Sequence, residues 1–412
     1  MSATHPVSPL APKSTPTLPR IAGVKLGAVE AGLRYKGRPD VMLAILPAGA
    51  VIAGVLTRSK TASAPVDWCR KNLTRGKARA ILVNAGNANA FTGKAGDKSV
   101  EEATRAVAQA LGCPRNEVFM ASTGVIGQPL DPAPFAKHMP ALVKAAREDG
   151  WADAAAAIMT TDTFPKAATR TCRIGDGTVV LNGFAKGSGM IAPDMATMLA
   201  FAFTDAKIPA PVLQKLLADA ADKSFNCVTV DGDTSTSDTL LLAATGTARH
   251  PRVEEADDPV LVEFKRALDD LMIELAQLVA RDGEGASKFI TINVTGATSN
   301  GAARKIGLAV ANSPLVKTAI AGEDANWGRV VMAVGKSGEK ADRDKLRISI
   351  GGVRITDAGQ VVANYNEAPV VKHIKGRDIA IDIELGLGRG KCTVWTCDLT
   401  HRYIDINGSY RS

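Results

Sequence analysis

Residues 187–201 read GSGMIAPDMATMLAF, and they place a lone threonine at the start of an apolar, strand-like run. A glycine-rich turn and Pro193 precede it, and Thr197 stands between Ala196 and Met198. Threonine is a good strand residue, so one interpretation is purely structural. The alternative is that Thr197 is a nucleophile. Patterns in the rest of the chain are needed to distinguish the structural interpretation from the catalytic one.

The composition favours a large globular protein with two domains or one domain of two lobes. The chain has 412 residues, of which 46% are hydrophobic and 4% aromatic. Its formal net charge of +8 raises the hypothesis of a nucleic-acid-binding protein. Because the basic residues are scattered and no dense basic run is interleaved with aromatics, we expect no nucleic-acid partner. A modestly positive surface also suits a pocket for acidic small molecules.

Cysteine and histidine usage argues against two common kinds of site. The six cysteines are dispersed without a C-x-x-C, and the five histidines are isolated. Neither a metal cluster nor a Ser-His-Asp triad is easily assembled from them, so we expect no metal. The cysteines are predicted to be free buried thiols in a reducing compartment, which favours a cytoplasmic protein.

Two segments bear on targeting and membranes. Residues 1–20 are rich in proline and polar groups, which predicts a flexible arm and not a signal peptide. Residues 41–56, VMLAILPAGAVIAGVL, carry no charge but are slightly short for a membrane helix, and Pro47 interrupts them. Two buried strands joined by the PAGA turn fit better, so no membrane span is predicted.

Strand-like and helical patterns alternate along the chain, which predicts an α/β or α+β architecture. The clearest helix spans 258–281, with Asp258 as its cap and Gly283 at its end. A second helix is predicted from about residue 97 to residue 111. The predicted strands are 80–83, 118–121, 179–181, 198–203, 239–244, 289–294 and 346–350.

Four segments are too polar and too rich in small side chains for ordinary core. They are NAGNANAFTG (84–93), ASTGVIG (121–127), MTTDTFPK (159–166) and TVDGDTSTSDT (229–239). Each one alone is better explained as a network of turns. Together, in a chain with few histidines, they indicate a site built from hydroxyls and backbone amides.

Such a site suits a threonine nucleophile, whose hydroxyl needs a base. If the peptide bond before Thr197 is cut, the new α-amine can serve as that base, since an α-amine ordinarily has a pKa of about 7.7–8.0. The cut can be intramolecular: the hydroxyl attacks the Ala196 carbonyl, an ester forms, and water releases it. An oxyanion hole is available from the Thr123 hydroxyl and the Gly124 amide.

Residues 185–199, AKGSGMIAPDMATML, closely resemble the self-cleavage segment of the ornithine acetyltransferase (glutamate N-acetyltransferase) family of arginine biosynthesis. Further blocks resemble that family in the same order, from roughly residue 20 to the last residue. They are NAGNANAFTG, STGVIG, MTTDTFPK, DGDTSTSDT, ARDGEGASK, GEDANWGR and YIDINGSYRS. One departure is Asp194, which stands where the family often has Asn, three residues before Thr197.

The resemblance implies a role for individual residues. Thr197 is the nucleophile, freed by cleavage after Ala196, and Thr123 with Gly124 forms the oxyanion hole. Lys186 suits a substrate carboxylate, and Glu284 suits an α-amino group. The substrate pocket implied by the resemblance is lined by Thr160, Lys186, Thr197, Glu284, Asn407 and Ser412.

The resemblance also implies the reaction and the assembly. An acetyl group passes from N2-acetylornithine to Thr197 and then to glutamate, without a metal or a bound cofactor. Whether acetyl-CoA also donates the acetyl group is left open. After the arm 1–20, cleavage would give an α chain 21–196 and a β chain 197–412, paired again as α2β2. An alternative is a self-cleaving amidase or aminopeptidase that passes the acyl group to water.

The implied fold is a sandwich of two sheets between two layers of helices, with a smaller second α/β lobe. It resembles the fold of N-terminal-nucleophile hydrolases with different connectivity.

Overall fold

The structure is a computed structural model that describes residues 6–192 and 198–408. Its strands are β1 (Lys25–Val29), β2 (Val41–Ile45), β3 (Val51–Leu56), β4 (Ala80–Asn87), β5 (Val118–Val125), β6 (Lys166–Ile174), β7 (Gly177–Lys186), β8 (Leu199–Thr204), β9 (Thr239–Ala244), β10 (Phe289–Ala297), β11 (Arg347–Ile350), β12 (Val353–Arg354), β13 (Thr356–Asp357), β14 (Gln360–Val361), β15 (Asp378–Glu384) and β16 (Gly390–Cys397).

The α-helices are α1 (Ala64–Leu73), α2 (Gly93–Leu111), α3 (Ala133–Ala145), α4 (Trp151–Ala157), α5 (Ala210–Lys223), α6 (Val262–Arg281), α7 (Asn300–Ala311), α8 (Pro314–Ala321), α9 (Trp327–Gly335), α10 (Ala368–Ile374) and α11 (His401–Asn407). Short 3₁₀ helices span Arg115–Glu117, Phe225–Cys227 and Pro259–Leu261.

Two sheets form the centre of the fold. The first sheet has the strand order β1-β2-β4-β5, and the second has the order β3-β9-β8-β7-β6. The uncharged segment 41–56 supplies β2 to the first sheet and β3 to the second, so the prediction of two buried strands is confirmed. Its PAGA turn carries the chain from one sheet to the other.

Aromatic side chains fill the space between the two sheets. Phe184, Phe201 and Phe203 of the second sheet are fully buried there. The Phe203 ring packs edge-on against Trp151 of α4, with ring centroids 5.5 Å apart. These three phenylalanines and Trp151 form an aromatic cluster between the two sheets.

Helices cover the outer faces of both sheets. Helices α2 and α3 pack on the first sheet, where Val107 and Phe135 meet Leu82. Helices α5 and α6 pack on the second sheet through apolar residues that include Leu217 and Leu271. The helix–sheet–sheet–helix sandwich expected from the resemblance is therefore confirmed.

A third sheet forms the smaller α/β lobe. Its strand order is β12-β11-β15-β10-β16, and α7 packs against β10 and β16. Gly307 of α7 allows close contact, because an added Cβ would lie 2.8 Å from a Val394 methyl group. Helix α6 contacts both the second sheet and β16, so it joins the lobe to the sandwich.

Both predicted helices are present, but each begins at a residue other than the predicted one. Asp258 caps a 3₁₀ turn by accepting a hydrogen bond from the Val260 amide at 2.9 Å, and α6 continues from Val262. Helix α2 begins at Gly93 and not near residue 97, and it ends at Gly112 with φ of +60°. Its first turn contains two glycines, which have low helix propensity, so the sequence pattern placed the start too late.

The N-terminal segment makes contacts that its composition does not indicate. From residue 6 onward it lies against the body of the protein, with Leu10 and Leu18 buried. The Ser8 hydroxyl donates a hydrogen bond to the Arg281 carbonyl at 2.6 Å, and Asn182 donates one to the Pro19 carbonyl at 2.6 Å. Two buried leucines and these two hydrogen bonds thus hold the proline-rich segment against the rest of the protein.

Within the described residues, no helix combines the length and apolarity needed to cross a membrane. All six cysteines are free, and the Cys227 and Cys392 sulfur atoms lie 3.5 Å apart.

Candidate active site

One cavity of about 420 Å³ brings the predicted site together. Each of the four polar segments contributes to its wall: residue 88 from the first, 123–126 from the second, 160 and 161 from the third, and 235–237 from the fourth. The predicted site residues that line the cavity are Thr123, Gly124, Thr160, Lys186, Glu284 and Asn407. The remaining predictions, Ala196, Thr197 and Ser412, lie outside the described residues.

The register of the second sheet places three strand ends beside this cavity. Lys186, the last residue of β7, pairs with Leu199, the first residue of β8. Leu199 pairs in turn with Thr239, the first residue of β9. The chain therefore enters β8 between the end of β7 and the cavity-lining segment 235–237, and Thr197 precedes Leu199 by two positions.

Gly124 adopts a backbone conformation that requires glycine. Its φ is +132°, and an added Cβ would lie 2.2 Å from the backbone carbon of Gly86. The parallel ladder of β4 and β5 shifts register between Gly86 and Asn87, as at a β-bulge. This irregular strand end is the part of β5 that reaches the cavity.

Lys186 orients the Thr123 hydroxyl. The Lys186 ammonium is buried and donates a hydrogen bond to Thr123 Oγ1 at 3.2 Å. Because a hydroxyl has one proton, a Thr123 oxygen that accepts from Lys186 keeps its own O–H available for another acceptor. Burial lowers the pKa of Lys186, although the Asp162 carboxylate acts in the opposite direction.

A buried ionic cluster of Asp162, Lys166 and Asp282 lies next to Lys186. Lys166 Nζ lies 2.6 Å from Asp162 Oδ1 and 2.6 Å from Asp282 Oδ2, and the side chains are fully buried. Burial alone would raise the pKa of Asp162, but the Lys166 and Lys186 ammonium groups hold it well below its usual range. Asp162 also accepts hydrogen bonds from the Thr160 and Gly187 amides. The cluster thus fixes the backbone on two sides of the cavity.

Glu284 also lines the cavity. Its Oε2 accepts a hydrogen bond from Asn407 Nδ2 at 2.7 Å, and its amide donates to the Ser188 carbonyl at 2.9 Å. Burial raises the pKa of Glu284, while hydrogen bonds from Asn407 and Thr161 act against that rise. Gly189 leaves room for the carboxylate, since an added Cβ would lie 2.6 Å from Oε1.

Sequence reasoning missed several residues of this region. Thr161 and Ser188 line the cavity, and both stand in quoted segments without being singled out. Lys166 and Asp282 were not distinguished from surface charges, because their pairing joins positions 116 residues apart. The available signal was that Lys166 ends MTTDTFPK and that Asp282 lies within ARDGEGASK, two segments already quoted.

The ionic cluster predicts a large loss of stability on removing its cation. K166M leaves two buried carboxylates without their shared partner, so we expect a loss of about 3–5 kcal/mol in the free energy of unfolding. The matched control is K215M, which removes an exposed pair with Asp219 and should cost about 0.5 kcal/mol or less. Urea unfolding of both variants measures this, and equal losses would contradict the assignment.

Comparisons with known proteins show the family to which this chain belongs. The ArgJ family model matches residues 25–412. The arginine biosynthesis bifunctional protein ArgJ of Gluconobacter oxydans is 60% identical over 412 residues, which cover 100% of this chain and 97% of that protein. The protein of the same name from Bradyrhizobium diazoefficiens is 56% identical over 409 residues, which cover 98% of this chain and 99% of that protein.

Among solved structures, the crystal structure of the ArgJ protein from Bacillus halodurans is 36% identical, with a TM-score of 0.48, over 50% of this chain and 96% of that chain. The family match over nearly the whole length, together with the identities of the two relatives, shows that this chain belongs to the ArgJ family.

Proposed function

We infer that this chain is an acetyltransferase of arginine biosynthesis that moves the acetyl group of N2-acetylornithine to glutamate. Membership of the ArgJ family supports the activity, since its relatives are named arginine biosynthesis bifunctional proteins. The observation that carries the proposal is the cavity itself. It combines hydroxyls and backbone amides with a buried ammonium group, Lys186, and a buried carboxyl group, Glu284.

The reaction begins with activation of the nucleophile. Thr197 first attacks the Ala196 carbonyl, and hydrolysis of the resulting ester leaves Thr197 with a free α-amine. That amine then takes the hydroxyl proton as Oγ attacks the acetyl carbonyl of N2-acetylornithine. The Thr123 hydroxyl and the Gly124 amide stabilise the oxyanion. The hydrogen bond from Lys186 to Thr123 supports this role, because it leaves the Thr123 proton free for the oxyanion.

The second half of the reaction reverses the first with a different amine. The α-amine of Thr197 passes its proton to ornithine as ornithine leaves. The acetyl group remains on Thr197 as an ester. Glutamate then enters, its α-amine attacks the ester, and N-acetylglutamate leaves. A single cavity of about 420 Å³ is large enough for one amino-acid substrate at a time, which fits a double displacement.

Charged groups at the two sides of the cavity suit amino-acid substrates. Lys186 binds a substrate carboxylate and Glu284 binds a substrate ammonium group, as expected from their opposite charges. The Asp162–Lys166–Asp282 cluster holds Lys186 in position through the 3.9 Å contact between Lys186 and Asp162. Thr160 and Asn407 complete the wall, and Asn407 orients the Glu284 carboxylate.

Further features of the family belong to the same proposal. Cleavage gives an α chain ending at Ala196 and a β chain beginning at Thr197, which assemble as α2β2. Ser412 contributes to the pocket from the end of the β chain. The enzyme works in the cytoplasm without a metal or a bound cofactor, and acetyl-CoA is a second acetyl donor.

Replacing the nucleophile should abolish both activities. We expect T197A to remain a single 43.0 kDa chain without acetyl transfer, because no hydroxyl is left to form either ester. T197S keeps the hydroxyl and should be cut and retain transfer. Denaturing gel electrophoresis and an assay of N-acetylglutamate formation measure both. A cut and active T197A protein would refute the mechanism.

The lowered pKa of Lys186 predicts a dependence of glutamate binding on pH. Since the ammonium group loses its proton at a lower pH than an ordinary lysine, KM for glutamate should already rise in the pH range below about 10. K186R keeps its charge throughout this range, so its KM should change much less. Steady-state kinetics with both proteins measures the difference, and identical KM profiles would contradict the assigned role of Lys186.

A further inference from the structure

Two free cysteines that take no part in the proposed reaction, Cys227 and Cys392, lie in contact with each other. Their sulfur atoms are 3.5 Å apart, although the two residues are 165 positions apart in the sequence. A disulfide bond would require the sulfur atoms to approach by roughly 1.5 Å more. Cys227 ends the short 3₁₀ helix after α5, and Cys392 lies near the start of β16. The pair therefore connects the sandwich with the smaller lobe.

Backbone hydrogen bonds hold the chain in place on both sides of the pair. Directly after Cys227, Val228 forms a parallel bridge with Trp395 of β16, and the Thr229 amide donates a hydrogen bond to the Trp395 carbonyl at 3.1 Å. Cys392 itself is paired with Val294 of β10 in the third sheet. Because the backbone is fixed at both cysteines, we expect rotation of the side chains to close the remaining gap between the sulfur atoms.

The pair is accessible from a surface groove that is separate from the candidate active site. Both cysteines line this groove, which has a volume of about 1060 Å³ and shares no lining residue with the active-site cavity. Cys227 is buried, with 1% of its surface exposed, whereas Cys392 is only half-buried. Two cationic side chains, Arg304 and Lys391, also line the groove. A small solute in the groove therefore meets Cys392 before Cys227.

The surroundings of the two thiols make Cys392 the more readily ionised one. A hydrogen bond from the Cys227 thiol lowers the pKa of Cys392 against the opposing effect of burial, and the Arg304 guanidinium adds to the lowering. The same contact and burial raise the pKa of Cys227. Because the thiolate is the form that reacts with peroxides, Cys392 is suited to attack first and Cys227 to react second.

We propose that Cys392 and Cys227 are a site of oxidation by hydrogen peroxide, at which a reversible disulfide bond forms between the sandwich and the smaller lobe. The Cys392 thiolate attacks one oxygen of hydrogen peroxide, the O–O bond breaks, and hydroxide leaves. Cys392 is then a sulfenic acid. The Cys227 sulfur attacks the Cys392 sulfur and gives up its proton as the S–O bond breaks and water leaves. The two thiols lose two electrons in total, and the peroxide gains them.

The disulfide would restrain the protein without taking part in acetyl transfer. It closes the long loop of chain between residues 227 and 392, which restricts the unfolded state and raises the melting temperature. In a reducing compartment the dithiol is the resting form, and the disulfide persists only while peroxide is present. The inference is independent of the proposed transfer reaction, because it requires neither Thr197 nor any residue that lines the active-site cavity.

The test maps the products of peroxide treatment by mass spectrometry. The purified protein is treated with hydrogen peroxide, its remaining thiols are alkylated under denaturing conditions, and the peptides are analysed with and without dithiothreitol. We expect a peptide linked through Cys227 and Cys392 that dithiothreitol separates. In C227S no partner is left, so the Cys392 sulfenic acid should accumulate and react with dimedone. The matched control is C113S, which replaces another half-buried free cysteine and should keep the linked peptide.

The melting temperature tests whether the bond restrains the fold. The oxidised protein is compared with the same sample after dithiothreitol, which reduces disulfides but leaves oxidised methionines unchanged. We expect the oxidised sample to melt at least about 2 °C higher, and C392S to show no such difference. Absence of the linked peptide, linkage of another cysteine pair, or equal melting temperatures of the linked and reduced protein would overturn the proposal. Dimedone labelling of Cys227 in C392S as fast as that of Cys392 in C227S would contradict the assigned order of attack.

Discussion

The backbone register of β7, β8 and β9 is the constraint on which the site depends. It sets Lys186, Leu199 and Thr239 side by side, so the end of one strand and the starts of two others meet at one cavity. A shift of one residue in any of these strands would turn every side chain of that strand to the opposite face. The apolar residues that hold this register, such as Phe201 and Phe203 between the sheets, therefore also position the polar groups of the site.

The polar site is costly for a fold built around three buried apolar clusters, and the buried ionic cluster offsets part of that cost. Lys166 is shared by two carboxylates, which accept their other hydrogen bonds from backbone amides and from the Thr163 hydroxyl. Such a cluster contributes little net stability compared with apolar packing, but a missing member leaves a charge unpaired. We interpret the ionic cluster as a structural feature that fixes the positions of Lys186 and of segment 159–166.

Sequence patterns predicted two helices, part of the strands and the polar segments, because these depend on local composition. The strand pair in 41–56 and the cap at Asp258 follow from hydrophobic periodicity and turn chemistry. The predicted start of α2 is too late, because the low helix propensity of the glycines in its first turn obscures the helical pattern there. Charges were the hardest to interpret. Whether Lys166 or Asp238 lies on the surface or in the core depends on contacts between distant strands, which no local pattern contains.

The central claim is that Thr197 becomes an acetylated N-terminal nucleophile. The most direct test is the intact mass of the denatured protein after brief exposure to N2-acetylornithine. We expect two fragments, beginning at Met1 and at Thr197, with the second heavier by one acetyl group. A single unmodified chain of 43.0 kDa would contradict it and leave Thr197 as an ordinary residue before a strand.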